Sequence, residues 1–211
     1  MCSRSSVAAA LLLALLGACG KGDPPAAVDP AVAGARKLLA EAGFPDGKGF
    51  PKLEVLYNTD EYHRQIAAAI QEMWREHLHI NAELRNVEWK IYLDMQSQLE
   101  FDVIRRAWIA DYNDPNTFLD MFTSANGNNN TGFANEGYDK LIASAAKELD
   151  PAKRMKLLRD AEAILLEELP IIPIYFYVTK NLWKPEVTGI YDNVRDTHPY
   201  NRIRLAGKPP K

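Results

Sequence analysis

Cysteine is almost absent from the 211-residue chain: Cys2 and Cys19 are the two it has, and both fall within the first twenty residues. Neither stands at metal-ligand spacing from a histidine or from the other, so a thiolate zinc site is excluded and a disulfide framework has no material. Basic excess is also missing. The 25 Lys and Arg are interspersed with 28 Asp and Glu, giving a net charge of −3 and no cationic footprint for nucleic acid. The longest apolar run, Val7 to Leu16, is too short to span a bilayer. G-x-S-x-G, P-loop and H-E-x-x-H patterns do not occur, which leaves hydrolase and nucleotide chemistry without support. What remains is ordinary globular composition, 47% hydrophobic and 25% charged, in a chain long enough to bury a core without staples.

The apolar run has the length of a signal-peptide h-region behind the single positive charge of Arg4. Its end, Leu16-Gly17-Ala18-Cys19, resembles the lipobox of bacterial lipoproteins, against the alternative of an ordinary secretory signal with an incidental cysteine. That resemblance implies cleavage after residue 18 and acyl chains on Cys19, and two chains suffice for stable anchoring. Export into an oxidising envelope also accounts for the missing thiols. Residues 19–30, rich in Gly, Pro and Ala, read as a flexible spacer, and residues 31–208 as the folded lobe.

Three Asp-Pro pairs, at 29–30, 114–115 and 150–151, each precede a helical pattern, and Asp as N-cap with Pro at N1 is a favoured start. The first helix is expected to stop at Gly43. Ile66, Ile70, Met73, Trp74 and Leu78 repeat at helical spacing, as do Tyr138, Leu141, Ile142, Ala145 and Leu149, and Leu157, Leu158, Ala161, Leu165 and Leu169. Strands are expected at Leu53 to Tyr57, Ile80 to Arg85, Phe101 to Trp108 and Ile171 to Val178, the last with Pro173 pointing to an edge position or a bulge near its start. The alternation predicts an α/β fold with a mixed sheet and flanking helices. Ser124 to Asn135, rich in Gly and Asn, reads as a surface loop.

Trp108-Ile109-Ala110-Asp111-Tyr112-Asn113-Asp114-Pro115 is the stretch richest in chemistry: an indole, a phenol and two carboxylates between a strand and a helix. Ligands of open α/β sheets sit outside the carboxyl ends of strands, where this loop would lie. A carboxylate beside aromatic walls suits an ammonium group. The alternative for Asp111 is a turn residue bonded to its own backbone. His77-x-His79 lacks a third metal ligand and reads as an exposed helix end. Asp111-x-Asn113 opens like a calcium loop but has Pro115 and Asn116 where that loop needs a ligand and a glycine, so an EF-hand is excluded.

The segments ARKLLAEAGFPDGKGFP (35–51), IQEMWREHL (70–78), VEWKIYLDM (87–95), FDVIRRAWIADYNDPNTFL (101–119), YDKLI (138–142), RDAEAILLEELPIIPIYFY (159–177) and LWKPEVTGI (182–190) together resemble the C-terminal part of the extracellular solute-binding proteins of family 5. The resemblance implies the C-terminal lobe of a type II periplasmic peptide-binding protein, non-enzymatic and without cofactor or metal. The implied partners are an oligopeptide and an ABC importer permease, and the implied place is the periplasmic side of the envelope, lipid-anchored to a membrane. It further implies that Asp111 pairs with the peptide α-ammonium, that Trp108 and Tyr112 wall the pocket, and that Arg105 helps neutralise the peptide carboxylate. Core packing is the alternative for Trp108, and a salt bridge with Asp102 for Arg105. Members of the family have two lobes, and most of the first is expected to be missing here. A lobe that binds no peptide alone and complements a separate first-lobe chain is therefore the rival reading, and an envelope peptidase a third.

Overall fold

A computed structural model describes residues 29–207. The leader at 1–18, lipidation at Cys19 and nearly all of the spacer lie outside the described residues. Order begins at the first Asp-Pro pair: Asp29 accepts a hydrogen bond from the Ala31 N–H, and α1 (Pro30–Glu41) starts on the proline. The helix ends at Ala42, and Gly43 follows in the left-handed region at φ +92°.

Strand β1 (Leu53–Asn58), helix α2 (Glu61–Leu78) and strand β2 (Ala82–Val87) form a parallel βαβ unit with Leu53 opposite Ala82 and Asn58 opposite Val87. Helix α3 (Trp89–Gln98) then leads to β3 (Val103–Ile104), which pairs parallel on the other edge of β1. The order is thus β2-β1-β3, with β1 central. Adjacent side chains of a strand point to opposite faces, and here Val55 and Leu56 serve two different cores. Val55 packs with Ala35 and Leu39 of α1 and Trp74 and Leu78 of α2. Leu56 packs with Tyr92 and Met95 of α3. A central strand covered on both faces explains the continuous burial of residues 55–58.

A third core lies outside the sheet. Helices α5 (Glu136–Ala145) and α6 (Pro151–Glu168) pack Tyr138, Ile142, Ala145, Leu158, Ala161 and Leu165 together with Leu119, Phe122 and Phe133. Asp150 caps α6 by accepting from the Ala152 and Lys153 N–H groups. Leu149, counted into the helical pattern, lies past the end of α5 and is exposed.

Two strand expectations need correction. Phe101 to Trp108 pairs as a strand only at Val103–Ile104, although the Arg105 N–H still donates to Leu56 O at 2.9 Å. Ile171 to Val178 forms no strand at all: Pro173 withholds a ladder N–H, neither edge of the sheet receives the run, and Phe176 is 95% exposed. Among the described residues the antiparallel pairing is a separate ribbon of β4 (Val187–Thr188) and β5 (Arg204–Leu205), and the main sheet is wholly parallel. Among the described residues no helix is long and apolar enough to cross a membrane.

Candidate functional site

The carboxyl ends of β1 and β3 and the first turns of α2 and α3 meet on one edge of the sheet, and the chain leaves β3 there into the 105–116 loop. Asp111 is exposed, and its carboxylate makes no hydrogen bond or ion pair with a described residue. Its backbone is nevertheless fixed, because the Asp111 N–H donates to Oγ1 of the buried Thr117 at 3.0 Å. Asp114 performs the turn duty that Asp111 was a candidate for. Asp114 Oδ1 accepts from the Asn116 N–H at 2.9 Å, at the start of the short helix α4 (Asn116–Leu119), and both its oxygens bind Arg154 of α6 at 2.7 and 2.8 Å. Hydrogen bonds from Arg154 hold the Asp114 carboxyl below its ordinary range. One aspartate of the loop is thereby spent on structure and the other left free.

The aromatic residues divide similarly. The Tyr112 hydroxyl donates to Asp120 Oδ2 and accepts from Asn116 Nδ2, both at 3.0 Å, and the residue is 40% exposed. Burial of the hydroxyl raises its pKa, so it stays protonated. Trp108 is half-buried against the α5–α6 core, which is the packing role weighed for it, yet its Nε1 is buried without a hydrogen-bond partner. Buried indole donors ordinarily find an acceptor.

Arg105 does not pair with Asp102, whose Oδ2 instead accepts from the Glu54 N–H at 2.9 Å. Its carbonyl accepts from the Tyr92 hydroxyl, and its guanidinium has no partner among the described residues. Sequence reasoning passed over His63, which the fold brings to this edge. His63 Nδ1 lies 2.9 Å from Oδ1 of Asn58, the buried last residue of β1. Burial and then the nearby Arg105 charge lower the His63 pKa, so the ring is neutral near pH 7. Trp89 was passed over too. It opens α3, stacks on Tyr92 at 5.4 Å and is about half exposed. The signal for both was positional: each is in the first turn of a helix that follows a parallel strand.

His77 and His79 do not converge on a metal. The His77 carbonyl accepts from Arg36, and His79 ends α2 in the left-handed region with its ring 2.7 Å from Asp46. A shallow recess lined by Lys52, Glu54, Phe101 and Asp102 lies at the opposite, amino ends of β1 and β3, away from this loop.

This end of the sheet therefore carries on one segment a carboxylate and a guanidinium without partners among the described residues, together with the part-exposed Trp108 and Tyr112. Such an arrangement can hold a zwitterion by its two ends.

Residues 13–130 match the family described as bacterial extracellular solute-binding proteins, family 5 Middle. The oligopeptide-binding protein OppA of Bacillus subtilis is 42% identical over 73% of the chain. The periplasmic murein peptide-binding protein MppA of Escherichia coli is 42% identical over 82%. The chain spans 28% and 32% of the length of these two curated relatives. The solved structure of the Escherichia coli murein tripeptide-binding protein MppA superposes on 96% of the chain, with a TM-score of 0.82 and 33% identity, and 45% of that protein is covered. The α/β fold is thus that of the type II periplasmic peptide-binding proteins.

Proposed function

Because the chain belongs to the bacterial extracellular solute-binding proteins of family 5, we propose that it carries part of the peptide-binding surface of an ABC-type oligopeptide importer. The relatives are binding proteins, and the role read here is capture and hand-over to a permease without catalysis. Asp111 takes the peptide α-ammonium, Arg105 its carboxylate, and Trp108 and Tyr112 flank the chain between them. Lipid on Cys19 would hold the protein at the periplasmic face of a membrane. The observation that carries this reading is the free carboxylate of Asp111, fixed by its backbone, beside aromatic faces at the carboxyl edge of a parallel sheet.

A peptide with a free N-terminus and its N-acetylated form separate this reading from a structural one. The free form should bind about 10- to 100-fold tighter, and Asp111→Asn should abolish the difference, the loss growing with the exclusion of water from the pair. Equal affinities for the two forms would refute the role of Asp111.

The rival reading, a lobe that binds peptide only with a separate first-lobe chain, is favoured by the exposed run at Ile174 to Val178. Calorimetry of the purified chain alone decides it: peptide affinity tighter than about 1 μM would overturn the rival.

A further inference from the structure

Arg105 and Arg106 follow directly on β3, and their charged ends reach different neighbours. Arg105 lies on the His63 side, whereas Arg106 turns towards the Asn-rich loop. There its Nη1 donates to Asn128 O at 2.8 Å and to Asn130 Oδ1 at 3.2 Å, and Gln96 at the end of α3 donates to the same Asn130 oxygen. The Arg106 guanidinium lies 5.5 Å from the centroid of the Trp108 ring, within cation–π range. A guanidinium has five N–H donors, and Nη1 accounts for two. Nε and Nη2 have no acceptor among the described residues, and neither atom is sealed from solvent. Among the described residues no carboxylate pairs with this half-buried cation, although burial already disfavours its charge. The Nε1 of that same Trp108 is buried and has no acceptor among the described residues either.

We infer that Arg106 and Trp108 form a carboxylate subsite, distinct from Arg105, which selects peptides carrying an acidic side chain. Two charge-bearing donors of Arg106 in a fixed fork match the two oxygens of a carboxylate, and the Asn128 and Asn130 contacts hold the fork in place. The inference rests on the peptide-binding reading for its biological ligand, but its chemistry can be tested without either peptide terminus.

The probe is N-acetyl-glutamate amide, which has a side-chain carboxylate and no terminal charge, set against N-acetyl-glutamine amide. The readout is the indole Nε1–H resonance of Trp108 in the ¹⁵N-labelled full chain, assigned by its disappearance in Trp108→Phe. The glutamate probe should shift it saturably, with at least about tenfold weaker response to the glutamine probe. Arg106→Gln should remove the response, and Arg106→Lys should retain part of it. No saturable shift, an equal response to both probes, or a response that survives Arg106→Gln would overturn the subsite. The wild-type probe comparison decides even if a variant misfolds. A free-amine preference lost by Asp111→Asn with no response here would sink the subsite and leave the peptide reading standing.

Discussion

Two stretches of similar apolar character meet opposite fates. Residues 55–58 of β1 are buried on both faces, whereas Ile174, Tyr175, Phe176, Tyr177 and Val178 are all exposed. The difference is not in the side chains. Strand β1 has a parallel neighbour on each edge, α1 and α2 on one face and α3 on the other. The later run has Pro173 at its start and pairs with neither sheet. Burial is decided by the surface that receives a segment, and composition only makes the segment eligible.

The sharpest way to break that comparison is to truncate one residue from each stretch. Leu56→Ala, at a fully buried position, should lower the unfolding free energy by about 2–5 kcal/mol. Phe176→Ala should change it by no more than about 0.5 kcal/mol. Urea unfolding of the two variants measures both. A loss at Phe176 comparable to that at Leu56 would mean that the run is covered in solution.

The same contrast shows what was legible in advance. Helix starts were, because an Asp cap followed by Pro is a local signal that needs no knowledge of the rest of the fold, and Asp29 and Asp150 cap as expected. The βαβ order was legible from the change of period between Leu53 and Leu78. The fate of Ile171 to Val178 was not, since pairing depends on an edge elsewhere in the chain. Within the site, the 105–112 segment drew attention because its residue types are unusual together. His63 draws no role from its neighbours in sequence, because Asn58 and the Arg105 charge converge on it only when β1, α2 and β3 are assembled. The division of labour between Asp111 and Asp114 was equally invisible, because Arg154 is 40 residues away from Asp114.

That division sharpens the comparison at smaller scale, within one loop. The Asp114–Arg154 pair joins the site loop to α6, with both side chains 28% exposed. Arg154→Met should cost about 1 kcal/mol at neutral pH, a value between an exposed and a buried charged bond. Arg154 depresses the folded-state pKa of Asp114 below its ordinary value of 3.8. The contribution is therefore present above about pH 4 and lost as the pH falls below 3.8 through the folded value. Denaturant melts of wild type and variant across pH 2–7 should converge at the acid end. Curves that stay parallel over that range would show that the pair is not the source of the difference.

The smallest expected effect is at Asp111. Its carboxylate bonds to no described residue, and what fixes the loop there is the backbone N–H on Thr117 Oγ1, which Asp111→Asn leaves intact. Unfolding free energy should therefore change by less than about 0.5 kcal/mol, the range of surface substitutions with no special role. The matching change three residues on, Asp114→Asn, breaks a bidentate ion pair and should lower stability by about as much as Arg154→Met. Both substitutions keep the side-chain shape and remove one negative charge, so net charge cancels from the comparison. Thermal melts of the two variants at pH 7 measure the contrast directly. If Asp111→Asn destabilised the chain as much as Asp114→Asn, the Asp111 carboxylate would be a structural group, and its availability to an ammonium ligand would go with it.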